Sequence, residues 1–178
     1  METKPNPIYK NSMNYGAIVG ILLCIVFFVF GMLKLKGQTI PNLLSYATLI
    51  TGIVIGTKHL RDNLEGGFIS YGRALWSGTL ITFFCAIITC FFTFIYMRFI
   101  DPAAVEQILQ QAEQNMIDQG TADDQIEMGM KYVRMFTTPT MMAIMGLLMY
   151  TFMGFVFSLI TSAFLKKEST PFDNTASN

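Results

Sequence analysis

ALWSGTLITFFCAIITCFFTFIYM, residues 74–97, runs without a single charged side chain. A helix that crosses a bilayer needs about 20 predominantly apolar residues, so this stretch alone points to a membrane. Working outward, three more uncharged stretches surround it: Asn11–Leu33, Gly37–Thr57 and Met135–Leu165. The expected architecture is all-α, an integral membrane antiparallel four-helix bundle. Its spans are expected at about residues 15–33, 41–57, 72–99 and 139–165 of a membrane domain covering residues 13–167.

Composition agrees with that reading. The 178 residues are 52% hydrophobic and 13% charged, against about 25% charged in ordinary soluble domains. The net charge is zero and there is no basic tract, which argues against nucleic acid as a partner. Cys24, Cys85 and Cys90 all fall inside apolar stretches, where they read as small buried residues rather than a disulfide framework. The first apolar stretch is too long for a cleavable signal peptide, and no small-x-small cleavage site precedes Lys34. It reads as an anchor.

Residues 1–12 are polar, carry Pro5 and Pro7, and are expected to be disordered or to lie on the surface. The Lys34–Gln38 stretch is a tight turn, which makes spans one and two antiparallel neighbours. Span two is diluted by Asn42, Ser45, Thr48 and Thr51, as suits a helix shielded by its neighbours. Ser70 is placed to cap the third span, and Tyr71 and Trp76 suit the water interface. Asp101-Pro102 starts a further helix, an acidic cap followed by proline. Thr121-Ala122-Asp123-Asp124 starts another, with Ile126, Met130 and Val133 on one side. The two form a helical hairpin, the insert at residues 100–138. Thr137-Thr138-Pro139 starts the fourth span, and residues 168–178 read as a disordered tail.

Orientation follows from lysine and arginine. Both termini and the second connector share one side, with Lys4, Lys10, Lys58, Arg61, Arg73, Lys166 and Lys167. The other side has Lys34, Lys36, Arg98, Lys131 and Arg134. The richer side is cytoplasmic, so both termini are expected there, and the acidic 100–138 insert projects into the extracytoplasmic space.

Several patterns invite a functional reading. Small residues recur at four-residue spacing: Gly16 with Gly20, Gly52 with Gly56, Gly78 in the row from Ala74 to Ala86, and Gly154 with Ser158 and Ser162. Such rows let helix backbones approach closely in lipid, and we read them as packing within the bundle before dimerisation. Thr79, Thr82, Thr89 and Thr93 share one side of span three. They are expected to bond to their own helix's carbonyls, or, alternatively, to line a wet pathway. Met142, Met145, Met149 and Met153 form a stripe that thiophilic copper(I) could use. However, Cys85 and Cys90 diverge on their helix and no histidine joins them, so core packing is the better account.

The interiors of all four spans hold no Asp, Glu, Lys, Arg or His. That weighs against proton coupling and intramembrane proteolysis, which need such groups. Gly67–Ala74 has the glycine spacing of a phosphate loop but lacks its Lys-Ser/Thr pair and a preceding strand, so no nucleotide is expected. Asp118, Asp123, Asp124 and Glu127 do not match a calcium loop. No metal, cofactor or catalytic residue is expected. Two surfaces remain. Lys58, His59, Arg61, Gly66, Gly67 and Arg73 form a compact connector that could hold an anionic lipid headgroup or a cytoplasmic partner. Val105, Ile108, Leu109, Ala112 and Met116 form an apolar stripe that must bury against the second short helix, the membrane surface or another protein.

Taken in order, Arg61-Asp62, the segment from Gly66 to Ala74, Phe99-Ile100-Asp101-Pro102 and the acidic insert before Pro139 carry a resemblance. Over roughly residues 10–167 the chain resembles a family of small four-span bacterial membrane proteins, found in Bacteroidota-type genomes and catalogued only as a domain of unknown function. The resemblance implies an inner-membrane location and a shared architecture, and no functional residue. The function expected is a non-enzymatic envelope scaffold or accessory subunit. It would contact membrane lipid and either an envelope protein partner or further copies of itself. The alternative is a small transporter or oligomeric channel for a neutral or apolar solute.

Overall fold

A computed structural model describes residues 6–33 and 39–167. The turn expected at Lys34–Gln38 and the tail beyond Lys167 lie outside them. Among the described residues there are six α-helices: α1 (Pro7–Leu33), α2 (Thr39–His59), α3 (Tyr71–Ile95), α4 (Ala103–Asp118), α5 (Asp123–Phe136) and α6 (Pro139–Leu165). Single π-helical turns extend α2 over Leu60–Leu64 and α3 over Tyr96–Ile100. Four helical stretches are long and apolar enough to cross a membrane: Pro7–Gly31, Ile40–Leu64, Tyr71–Ile100 and Pro139–Leu165.

The helix starts follow local chemistry, and three correct the sequence reading. At Asp101 the backbone carbonyl, not the carboxylate, accepts the Ala104 N–H at 3.2 Å, and α4 begins after Pro102. Within the segment expected to be disordered or on the surface, α1 already begins at Pro7. The Asn6 side chain accepts the Ile8 N–H at 3.3 Å, and proline at the first helical position loses no useful donor. Ile8, Asn11 and Ser12 are buried, so these first turns belong to the packed structure. At Ser70 the carbonyl, not the hydroxyl, does the work, accepting the Ala74 N–H at 3.0 Å. Thr138 Oγ1 accepts the Met141 N–H at 3.3 Å and opens α6.

The chain forms two compact units. The first contains α1, α2, the start of α3 up to Thr89 and the end of α6 from Met149. Contacts between α1 and α2 run in opposite senses, with Tyr15 beside Gly56 and Val19 beside Gly52. Those between α3 and α6 do likewise, with Gly78 beside Ser158 and Thr82 beside Gly154. One apolar cluster takes Val19 and Leu23 from α1, Leu49 and Ile53 from α2 and Cys85 from α3, with Tyr150 and Phe157 of α6 packed on it. A second joins Ile8, Leu60, Ile69, Ala74 and Leu80.

Much of this interior is polar. Ser12, Ser77, Thr82 and Ser158 are each 0% exposed, while Phe164 is 84% and Leu43 69% exposed. Small hydroxyls lie where helices meet, beside Leu49, Ile53 and Ile81, while many other large apolar side chains point outward. That order suits surroundings as apolar as the side chains themselves, where close backbone approach rather than apolar burial holds helices together.

The second unit is Cys90–Leu148. In it α4 and α5 pack together across a turn whose Gly120 has φ +69°. Both helices are amphipathic and Met130 is the buried residue of α5. The last turns of α3 and the first of α6 approach where Gly146 meets Cys90 Sγ.

Candidate functional site

The connector between α2 and α3 is a folded cap. Leu60 and Ile69, 0% and 2% exposed, plug its ends into the apolar cluster beneath. The π turn is closed by the Gly67 N–H donating to Arg61 O at 2.8 Å. Gly66 (φ +68°) and Gly67 (φ +88°) then make the left-handed reversal that other residues strain to adopt. Ile69 and Lys167 exchange two backbone hydrogen bonds, 2.8 and 2.9 Å, which fasten the connector to the end of α6. Arg61 Nη1 donates to Leu165 O at 3.2 Å, satisfying a terminal carbonyl of that helix.

Charge in the cap is largely balanced internally. Arg61 binds Asp62 through both carboxylate oxygens, at 2.6 and 3.2 Å. Arg73 grips Glu65, with Nε donating at 2.8 Å. Of the connector's cations, Lys58 is exposed and has no carboxylate in contact among the described residues, and Lys167 stands over the Phe68 ring at 5.2 Å. His59 is tied inward. Asn11 Nδ2 donates to Gly56 O at 2.9 Å, so Asn11 Oδ1 is free to accept from His59 Nδ1–H at 3.0 Å. The six connector residues therefore sit together, but Arg61, Arg73 and His59 are engaged with the protein itself.

The glycines mark close approaches. A Cβ on Gly16 would stand 2.7 Å from Ile81 O and from Phe84 Cβ; on Gly20 it would press on Ile88 at 3.0 Å. On Gly56 it would meet Ile81 Cδ1 at 2.6 Å, and on Gly52 it would overlap Val19. Gly78 and Gly154 face each other's helix, against Ser158 and Thr82 respectively. All six lie at helix contacts within one copy of the chain.

In the threonine row, Thr79, Thr82 and Thr89 each donate to the carbonyl four residues earlier, at 2.9, 3.1 and 3.1 Å. Thr57, Ser77 and Ser158 carry buried hydroxyls without a hydrogen-bond partner among the described residues. Cys24, Cys85 and Cys90 form no disulfide among the described residues, and Met145 and Met149 of the methionine stripe are 44% and 61% exposed.

On α4, Val105, Ile108, Leu109, Ala112 and Met116 are all half-buried. The Met116 thioether lies against Gly129 of α5, 3.3 Å from a Cβ built there. A groove of about 560 Å³ is lined by both helices: Ile117, Ile126 and Met130 give it apolar surface, and Glu113, Glu127 and Arg134 charge. The sequence reading missed a second row on α5. Met128, Tyr132, Met135 and Phe136 are exposed, on a different side from Ile126 and Met130. Their spacing of four, three and one residues was the available signal.

The chain matches the family described as a protein of unknown function, DUF4199, over residues 14–167. It belongs to that family. No curated protein and no solved structure matches it.

Proposed function

We propose that this member of the DUF4199 family is a non-enzymatic scaffold or accessory subunit of a bacterial inner membrane. In this reading the spans form one antiparallel bundle, both termini are cytoplasmic, and α4 and α5 form an extracytoplasmic hairpin. Partners are contacted through the hairpin and through the cytoplasmic connector.

One observation carries the reading: charged side chains gather at the helix ends and on α4 and α5, while the span interiors hold small hydroxyls. Three hydroxyls of the threonine row are engaged by their own helix's carbonyls. This supports packing over a wet pathway for solute. Recognition is left to the ends.

Photo-crosslinking residues at Gln110, exposed on α4, and at Lys58, exposed beside the connector, test this in native membranes. A discrete product with a second protein at either position is expected. Its absence at both positions overturns the reading. So does reconstituted protein that moves a solute at a rate abolished by Thr82→Leu. Maleimide labelling of Gln110→Cys and Lys166→Cys from one side of the membrane tests the orientation, because the two should label from opposite sides.

A further inference from the structure

We propose that α5 lies along the bilayer surface, with Met128, Tyr132, Met135 and Phe136 seated at the boundary between headgroups and acyl chains. These four are 66%, 59%, 54% and 46% exposed. At about 100° per residue they fall within an arc of about 100° on the helix. Ile126, Met130 and Val133 lie roughly opposite, and Met130 is 6% exposed. α5 therefore has two apolar faces. Its partner helix α4 is packed against it, and the outer face is open among the described residues.

Lipid is the occupant that the chain's own path supplies. Only Thr137 and Thr138 separate Phe136 from Pro139, where the last membrane-capable helix begins. Three residues reach about 10 Å at most, and the headgroup layer is about 5–8 Å thick on each side. The end of α5 thus stays at the membrane. The two helices are separate elements there. Thr137 Oγ1 donates to Val133 O at 2.6 Å and closes α5, while Thr138 separately opens α6. An upright α5 would raise Met128 about 12 Å above Phe136 and leave it in water. Lying flat, all four side chains sit at one depth. The exposed apolar surface then continues into Met141, Ile144, Met145 and Leu148 of α6. Lys131 borders the row on one side, where its stem can reach up to lipid phosphates, while Arg134 lies farther round, at the groove toward α4. Tyrosine is among the residues that prefer this layer. An apolar face set against a charged one is the pattern of an interfacial helix; the charged side here carries Lys131 and Arg134 together with Asp123, Asp124 and Glu127.

The test uses the full chain in phosphatidylcholine nanodiscs. Trp76, the single tryptophan, is changed to phenylalanine, and one tryptophan is returned in separate variants: Met128→Trp, Tyr132→Trp, Met135→Trp, and Glu127→Trp on the charged side. Brominated lipid should quench the first three at least threefold more than the Glu127 variant, and aqueous acrylamide should show the reverse order. Equal quenching on both sides overturns the proposal. So does an outer face shielded from both quenchers, which would mean that a second copy of the chain covers it. Three positions on one face keep the result readable if one variant misfolds.

Discussion

In the first unit, small hydroxyls share the interior with leucine and isoleucine while many large apolar side chains face outward; in α4 and α5 charged side chains face outward. Ser77 and Ser158 are 0% exposed while Phe164 is 84% exposed. In α5, by contrast, Met130 is buried and Asp123, Asp124 and Glu127 are exposed. One chain thus records two solvents. Where the surroundings are hydrocarbon, burying a leucine gains little and a glycine facing a threonine gains close contact. Where they are water, burying apolar area stabilises by about 25 cal/mol per Å². The outer face of α5 belongs to neither regime, as expected at the boundary between them.

The sharpest way to break the comparison is Gly154→Leu. The new side chain must displace Thr82 and with it α3; overpacking typically costs about 1–3 kcal/mol. The expected outcome is loss of most monodisperse protein after detergent extraction, read by size-exclusion chromatography. Next is Met130→Ala in α5, expected to cost about 2 kcal/mol or more. Limited proteolysis should then cut between Asp118 and Thr137 faster, while the spans stay protected. If the spans become equally labile, the two regions are not separate in stability.

Arg73→Gln removes the partner of Glu65. Half-exposed ion pairs contribute about 0–1 kcal/mol, so thermal aggregation of the purified protein should shift slightly, and less at high salt. Smallest of all is Ser158→Ala. Its hydroxyl is buried without a partner among the described residues, so removing it should leave stability unchanged or raise it slightly. A marked loss of heat resistance would mean that the hydroxyl is satisfied in the membrane after all.

The four membrane-capable helices were legible because uncharged stretches of that length have almost no place in a fold surrounded by water. Thr138 and Pro139 fixed the start of α6 by rules that depend only on neighbouring residues. Asn6-Pro7 carries the signature that the sequence also offers at Asp101-Pro102, yet only Asn6 caps through its side chain, and the polarity of the first twelve residues hid it. Asn11 and Ser12 look like surface residues until their acceptors, Gly56 O and Ser77 O, are seen on other helices. The connector is a similar case. Its charges suggested a site for an external anion, but Asp62 and Glu65 already bind Arg61 and Arg73. Pairing between residues that are distant in sequence leaves no periodic trace. The exposed row on α5 is different: its spacing was present, but a second apolar stripe on the same helix competed for notice.

The paired backbone bonds between Ile69 and Lys167 also have a mechanical side. Tension applied at residue 167, from a fused tag or a tethered neighbour, would be shared with the reversal at Gly66-Gly67 before it strained α6. Peeling that clasp would release the Arg61 guanidinium from Leu165 O as well, leaving it held by Asp62 alone. For laboratory fusions, a generous spacer beyond Lys167 is therefore the safer design.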